Sequence, residues 1–309
     1  MDGGSRKIRR VLLFINPRKN DAGNLAEQIR KTLEGRGIEV RSCSPEDAGG
    51  SAVSFPPEDR YDLAFSLGGD GTVLGAARAM APLGVPIIPV NLGTLGFIAE
   101  VPPGDWSAVL DQVIAGTAGV SRRLMLEAVV ERGNKTIKTA SCLNETVISS
   151  SGIAKLVRLQ VRLETLSPGG FIRLGQYRSD GLIAATPTGS TAYSMAAGGP
   201  ILDPELEALI INPVCPFTLS HRSLVLPSTE PVIIEIEAEQ RSGVLLTLDG
   251  QETETLEPGD RIRIRRAPWQ ALLVYSERNV FYRALSAKLN WSGVYQNEGG
   301  GSRDGVSHA

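Results

Sequence analysis

The segment that most constrains the fold is FSLGGDGTVL, which runs from Phe65 to Leu74. An apolar stretch of strand length ends here in a turn of three glycines around one aspartate, Asp70, and a helix is expected to begin near Thr72. Glycines let a backbone approach a phosphate closely, so the turn predicts a phosphate-binding connection. An aspartate there would repel phosphate unless it binds a metal ion or takes a proton from a hydroxyl. The alternative is that Asp70 only caps the helix.

The first 118 residues alternate between strand-length apolar runs and helical patterns. Val11–Ile15 is a continuous apolar run that is typical of a strand buried on both faces of a parallel sheet. Further strands are predicted at Ile38–Cys43, Tyr61–Leu67 and Val85–Val90, and helices around Leu25–Leu33, from Thr72 to Ala81 and at Trp106–Ile114. A second glycine-rich turn, NLGTLGF, follows the fourth strand at residues 91–97. Both turns should therefore lie at the carboxyl edge of one parallel sheet, where open α/β folds bind ligands.

The pattern changes after Gly119, where helices become scarce and strands predominate. Predicted strands are Leu124–Glu131 and Lys135–Cys142 around a Gly133-Asn134 hairpin turn, then Lys155–Glu164, Pro231–Glu239, Val244–Leu248 and Arg261–Arg265. Three arginines share one face of the last strand. This basic stripe could bind phosphate, but the favoured prediction is the solvated face of an antiparallel sheet.

These patterns predict an α/β domain followed by an all-β domain. The first covers residues 1–118 and the second residues 119–270. Residues 271–295 are expected to rejoin the first domain as a strand, Ala271–Tyr275, and a helix, Ala284–Leu289. We expect residues 44–57 to form a surface loop and residues 296–309 to be a disordered tail, because both lack apolar periodicity.

Composition narrows the possible ligands and partners. The chain has 309 residues, 42% of them hydrophobic, and a formal net charge of −2, so we expect neither a nucleic-acid nor a membrane partner. Three dispersed cysteines support no disulfide framework and fit a reducing cytoplasm. With only two histidines, a histidine-based triad or metal cluster is nearly excluded, and the metal ligands stay unassigned.

The most distinctive segment is SDGLIAATPTGSTAYSMAAGG, residues 179–199. It predicts a strand, a turn at Pro187 and a short helix through Met195 that Ser190 or Thr191 caps. Small side chains leave room for a ligand against the backbone, and many hydroxyls supply hydrogen bonds for phosphate or ribose oxygens. A crowded packing corner would explain the small residues but not the hydroxyls beside Asp180 and Tyr193.

Five motifs occur together in this chain: GGDGT (68–72), NLGTLGF (91–97), LNE (143–145), DGLIAATPTGSTAYS (180–194) and AGGPI (197–201). In order and spacing they resemble the NAD kinase family, specifically its bacterial type, from about Val11 to Trp291. GGDG alone also occurs in diacylglycerol and sphingosine kinases, so a lipid kinase is one alternative. A dinucleotide-binding sensor without catalysis is another. Thr94 stands where some family members have histidine, which puts any side-chain role there in doubt.

The resemblance implies a phosphotransferase with an alcohol acceptor, in a Rossmann-like α/β domain and an antiparallel β-sandwich domain with the active site between them. It implies transfer from ATP, or inorganic polyphosphate, to the 2′-hydroxyl of the adenosine ribose of NAD, giving NADP. By this likeness Asp70 is the catalytic base, Mg²⁺ bridges the donor phosphates, and no lysine is required. The implied binding residues are Gly68, Gly69, Gly71, Thr72, Phe97, Asn144, Glu145, Asp180, Thr191, Ala192, Tyr193 and Ser194.

Two points stay open on the residues themselves. Asn144-Glu145 could be only a turn between two strands, and Glu145 could bind the metal ion instead of ribose. The resemblance also implies a homodimer or homotetramer.

Overall fold

The computed structural model describes residues 7–44, 60–94, 96–152, 155–165, 170–218, 220–275 and 280–289. Beyond residue 44, the predicted surface loop lies outside the described residues, and so does the whole of the predicted tail. None of the described helices is long and apolar enough to cross a membrane.

The N-terminal region is a parallel sheet with helices on both faces. Its strands are β1 Arg10–Ile15, β2 Glu39–Cys43, β3 Leu63–Gly68 and β4 Ile87–Asn91, and its helices are α1 Asn20–Gly35, α2 Asp70–Met80 and α3 Trp106–Ala115. The strands pair in the order β2-β1-β3-β4. The predicted strands and helices are confirmed within about two residues at each end, except that α1 begins five residues before Leu25. Strands β1, β3 and β4 are continuous apolar runs because both of their faces are buried, whereas the edge strand β2 is mostly exposed.

The rest of the chain is mostly antiparallel. Its strands are β5 Gly119–Arg132, β6 Lys135–Cys142, β7 Glu145–Ser150, β8 Val157–Glu164, β9 Phe171–Ser179, β10 Gly181–Ala185, β11 Ala208–Val214, β12 Leu224–Pro227, β13 Val232–Ile236, β14 Val244–Leu248, β15 Glu252–Leu256 and β16 Arg261–Tyr275; its helices are α4 Tyr193–Ala196 and α5 Val280–Leu289. A six-stranded sheet has the order β12-β11-β10-β7-β14-β15. The other strands join the N-terminal sheet through β16.

Strand β16 connects the two regions. Its first half pairs with β13 and β5, and its last residues lie beside β4, where Leu273 aligns in parallel with Ile87. The end of β16 thus lies beside the N-terminal sheet, and the prediction that the strand stops at Arg265 is wrong. Pro268 interrupts the sequence pattern because proline has no N–H for the ladder. The pairing with β5 accommodates it by a register shift between Arg266 and Gln270.

Three large hydrophobic clusters correspond to the layers of this architecture. One packs α1 and α3 on one face of the parallel sheet, and another packs α2 and α5 on the opposite face. The third fills the space between two sheets. One is the six-stranded sheet, and the other is the antiparallel part of the ten-stranded sheet that contains β1–β4 and β16. The predicted fold class, an α/β region with an antiparallel β-sandwich, is confirmed.

The arginine stripe on β16 lies on the solvated face of the sheet, which is the favoured prediction of the sequence analysis. Each arginine pairs with an acid of the same sheet: Arg261 with Glu235 at 3.6 Å, Arg263 with Glu164 at 2.6 Å and Arg265 with Glu127 at 2.5 Å. Ile262 and Ile264, between them, are fully buried on the other face.

Candidate active site

Asp70 joins the two glycine-rich turns. It is the first residue of α2, and its side chain makes no capping hydrogen bond to that helix. Its carboxylate instead accepts three backbone N–H groups of the second turn: Oδ2 from Phe97 at 3.0 Å, and Oδ1 from Ile98 at 3.2 Å and Ala99 at 2.9 Å. The alternative of a capping role is therefore wrong. The contact also confirms that the two turns meet at the carboxyl edge of the sheet.

Gly96 makes this contact possible. A Cβ built on Gly96 would overlap Oδ1 of Asp70, so any larger residue would push the carboxylate away from its donors. Because Gly96 has no side chain, the Asp70 carboxylate can lie close to its backbone.

Asp70 opens onto a cleft of about 560 Å³ between the two regions of the chain. Five residues predicted for the site line it: Asp70, Phe97, Asn144, Thr191 and Ala192. Four lining residues were not foreseen: Ile98, Met195, Lys288 and Leu289. The last two come from α5, which places the C-terminal helix beside the glycine turns. The cleft is large enough for a nucleotide-sized ligand.

Asn144 lies in the connection between β6 and β7, and Glu145 is the first residue of β7, so only part of this pair matches the alternative of a turn between two strands. Both residues are buried, and Asn144 Oδ1 and Glu145 Oε2 have no hydrogen-bond partner among the described residues. The pKa of Glu145 is raised to about 7, mainly by burial and also by the Asp249 carboxylate, while a hydrogen bond from the Tyr193 backbone opposes the rise. Buried polar atoms without partners are uncommon in folded proteins and fit positions where a ligand supplies the missing bond.

A buried ion pair that the sequence analysis missed positions this segment. Asp249 follows β14 and adopts a left-handed φ of 50°. Its carboxylate accepts N–H groups across 143–145, from Leu143 at 3.1 Å, Asn144 at 2.8 Å and Glu145 at 3.3 Å. Arg78 of α2 donates to the same carboxylate at 3.0 Å. Burial nevertheless raises the pKa of Asp249, while Arg78 and the N–H groups oppose the rise. The Arg78–Asp249 pair thus ties α2 to the LNE motif.

The segment 179–199 has the predicted order of strand, turn and helix. Strand β10 leads into a 3₁₀ turn at Thr188–Thr191 and then into the single-turn helix α4. The predicted cap is wrong: the residue before α4 is Ala192, and no side chain caps the helix. Ser190 and Thr191 fall within the 3₁₀ turn, where Ser190 Oγ accepts the Leu202 N–H at 3.0 Å.

Gly189 brings this turn against the LNE motif. A Cβ on Gly189 would overlap the backbone carbonyl of Asn144, so the two segments touch at the backbone. The Thr186 hydroxyl secures the contact by donating to the Leu143 carbonyl at 2.6 Å and accepting the Gly189 N–H at 3.0 Å. This packing places Thr191 and Ala192 beside Asn144 in the cleft.

Three predicted site residues lie away from the cleft lining. Thr72 is buried, and its hydroxyl accepts a hydrogen bond from Asn16 Nδ2 at 3.3 Å. Ser194 is also buried, and its backbone carbonyl accepts from Asn212 Nδ2 at 2.9 Å. Asp180 is exposed just before β10, and residues 181–187, which include the five-residue strand of roughly 15 Å, separate it from the 3₁₀ turn.

The remaining predicted residues lie beside the cleft. Gly68 ends β3, Gly69 precedes α2, and the carbonyl of Gly71 accepts Gln251 Nε2 at 2.9 Å. The Tyr193 side chain is 46% exposed, which leaves its ring available for contact. The structure therefore brings most, but not all, of the predicted residues together.

A second buried ion pair lies behind Asp70. Glu100 follows the second glycine turn and pairs with Arg123 of β5 at 3.3 Å. The pKa of Glu100 is raised to about 7, mainly by burial and also by the nearby Asp70 carboxylate, while Arg123 opposes the rise. Among the described residues, no group of three or more histidine, cysteine or acidic side chains could hold a metal ion.

Comparisons with known proteins agree with this geometry. The N-terminal and C-terminal domain models of ATP-NAD kinases match residues 11–118 and 143–276. The NAD kinase of Treponema denticola is 40% identical over 288 residues, which cover 93% of this chain and 98% of that protein. The NAD kinase of Symbiobacterium thermophilum is 39% identical over 284 residues, 90% of this chain and 98% of its own.

Two solved structures share the fold. Yeast NADH kinase complexed with NADH has a TM-score of 0.80 at 24% identity, covering 94% of this chain and 90% of its own. An NAD kinase from Archaeoglobus fulgidus in complex with ATP has a TM-score of 0.69 at 22% identity, covering 90% of this chain and 98% of its own. The fold and the sequence matches together define a phosphotransferase. The chain belongs to the NAD kinase family and phosphorylates NAD to NADP.

Proposed function

We propose that Asp70 is the catalytic base of this reaction, accepting the proton of the adenosine ribose 2′-hydroxyl of NAD while ATP donates the phosphoryl group. A ribose hydroxyl is a weak nucleophile, and a carboxylate within hydrogen-bond reach raises its reactivity as the new bond forms. One observation carries the proposal: Asp70 faces the cleft while three backbone N–H groups hold its carboxylate in one orientation. A base held in this way is positioned before the substrate arrives.

The cleft residues suit the acceptor nucleotide. Asn144 and Glu145 have buried oxygens without partners, and such atoms are suited to ribose hydroxyls and to base edges. Thr191 and Ala192 line the cleft beside Asn144, and the small Ala192 side chain leaves the backbone there open to close contact. Phe97 as the adenine contact stays a prediction, because its side chain is only 8% exposed and already packs against Phe281.

The donor phosphates are assigned to the glycine turns. Gly68, Gly69 and Gly71 precede or begin α2, whose N-terminal dipole favours negative charge. We assign the acceptor to the side of Asn144 and the donor to the side of these glycines, with Asp70 between them. The neighbours solved with NADH and with ATP support two nucleotide types in this fold. Polyphosphate remains an alternative donor.

The residues of the cleft can hold Mg²⁺ only if the substrate phosphates supply most of the ligands of the ion. Magnesium in phosphoryl-transfer sites characteristically uses one or two carboxylates, water and substrate phosphates. Asp70 and Glu145 are the carboxylates available to it, and Glu145 Oε2 lacks a partner. When bound, the ion would neutralise charge on the phosphates.

We assign residues 1–118 and 271–295 to one domain and residues 119–270 to the other, in a cytoplasmic homodimer or homotetramer. The position of Asp180 supports an oligomer. This exposed acid lies far from the cleft of its own chain, so its binding role requires a site completed across an interface.

Incubation of the purified chain with NAD, ATP and Mg²⁺, followed by an enzymatic assay specific for NADP, tests the function. We expect NADP and ADP in equal amounts. Competition between ATP and polyphosphate then identifies the donor. Phosphorylation of diacylglycerol or a sphingoid base in place of NAD would favour a lipid kinase, and tight NAD binding without product would favour a sensor.

A further inference from the structure

The C-terminal helix α5 contributes a charged side chain to the cleft. Phe281, Ala284 and Leu285 are buried against the α/β core and fix the position of the helix. Lys288 follows Ala284 by four residues and Phe281 by seven, so it lies in line with these buried residues at the exposed end of the helix. The helix therefore presents a lysine where it reaches the cleft, and this side chain lines the cleft together with Asp70.

An aromatic ring holds the Lys288 ammonium group in position, and no acid among the described residues neutralises its charge. Its Nζ lies 4.5 Å from the centroid of the Phe97 ring. In the part of the chain that the structure describes, no carboxylate lies within ion-pair distance of this ammonium group. Of the described residues that line the cleft, Asp70 is the only acid, and its oxygens already accept hydrogen bonds from the backbone N–H groups of residues 97–99. Within the described residues, the cleft thus presents a cation that has no acidic partner, beside the second glycine-rich turn.

We propose that Lys288 Nζ binds a phosphate oxygen of the nucleotide bound in the cleft. This inference rests on the proposed function and adds to it a substrate contact from the C-terminal helix. A compact ammonium with three donors suits a phosphate as a point charge. The contact with the Phe97 ring holds the lysine in the cleft before the anion binds, because an aromatic face attracts a cation.

A purely structural role is the competing account, in which the lysine stem only packs on Phe97. Lys288→Met keeps most of the apolar stem and removes the charge, whereas Lys288→Arg keeps the charge. Lys31→Met, on the exposed surface of α1, is the matched control. Steady-state kinetics and calorimetric titration with ATP and with inorganic tripolyphosphate are measured for all four proteins.

We expect Lys288→Met to lower kcat/KM for NADP formation and to weaken tripolyphosphate binding by about 10- to 100-fold, the effect of losing one charged hydrogen bond. Lys288→Arg should stay within about fivefold of the unchanged chain, and Lys31→Met should match it. Lys288→Met values within twofold of the unchanged chain would overturn the proposal, and so would equal losses in Met and Arg variants. If the unchanged chain makes no NADP, the proposed function fails, yet the tripolyphosphate titration still decides the role of Lys288. Absence of tripolyphosphate binding to the unchanged chain would also overturn the proposed role of Lys288.

Discussion

Glu145 should make the stability of the protein depend on pH near neutrality. Burial raises its pKa from 4.5 to about 7. Each pKa unit corresponds to about 1.4 kcal/mol, so the rise amounts to about 3 kcal/mol. Because the folded state binds this proton more tightly than the unfolded chain, the stabilisation is complete below pH 4.5 and is lost as pH rises through 7.

Glu145→Gln removes the titrating group. Between pH 5 and pH 8 the free energy of unfolding of the unchanged chain should therefore fall by about 2 to 3 kcal/mol more than that of the variant. Urea unfolding followed by circular dichroism at several pH values measures both curves. Glu27→Gln, an exposed carboxylate on α1, is the control and should follow the unchanged chain. Parallel curves for Glu145→Gln and the unchanged chain would refute the reasoning from burial.

Other consequences concern the two contacts that position the site. Arg78→Met should destabilise the fold by about 3 kcal/mol in urea unfolding, because it leaves the Asp249 carboxylate buried without its cation. The double variant Arg78→Met, Asp249→Asn should recover part of that loss, and strictly additive losses would contradict a coupled pair. Gly96→Ala should lower kcat for NADP formation by at least about tenfold, because its Cβ would displace the Asp70 carboxylate. Gly104→Ala has open space around it and should keep full activity; equal kcat values for both alanine variants would contradict the steric account.

The fold was largely predictable because its patterns are local. Continuous apolar runs and the helical spacing of Leu25, Ile29 and Leu33 depend only on neighbouring residues. Long-range pairing has no such signal. Whether Arg261–Arg265 and Ala271–Tyr275 form one strand depends on how β5 tolerates the proline between them, and only the folded sheet decides that.

The site was predictable where side chains belong to recognisable motifs. Asp70 and Asn144 are in the cleft as expected, whereas Thr72 and Ser194 in the same motifs point into packing contacts. The Asp249-Gly250 pair carried a detectable signal, since this dipeptide between two strands is typical of a hairpin turn. Lys288 carried none: a lysine on a short amphipathic helix is indistinguishable in sequence from any solvated one.

The most direct test of the account is the turnover of Asp70→Asn compared with its affinity for NAD. The substitution keeps the size of the side chain but removes the base, so kcat for NADP formation should fall by at least about 100-fold. The calorimetric dissociation constant for NAD should stay within a few-fold, because Asn144, Thr191 and Ala192 still form the pocket. Retention of more than a tenth of the kcat by a folded Asp70→Asn variant would contradict the role of Asp70 as the base.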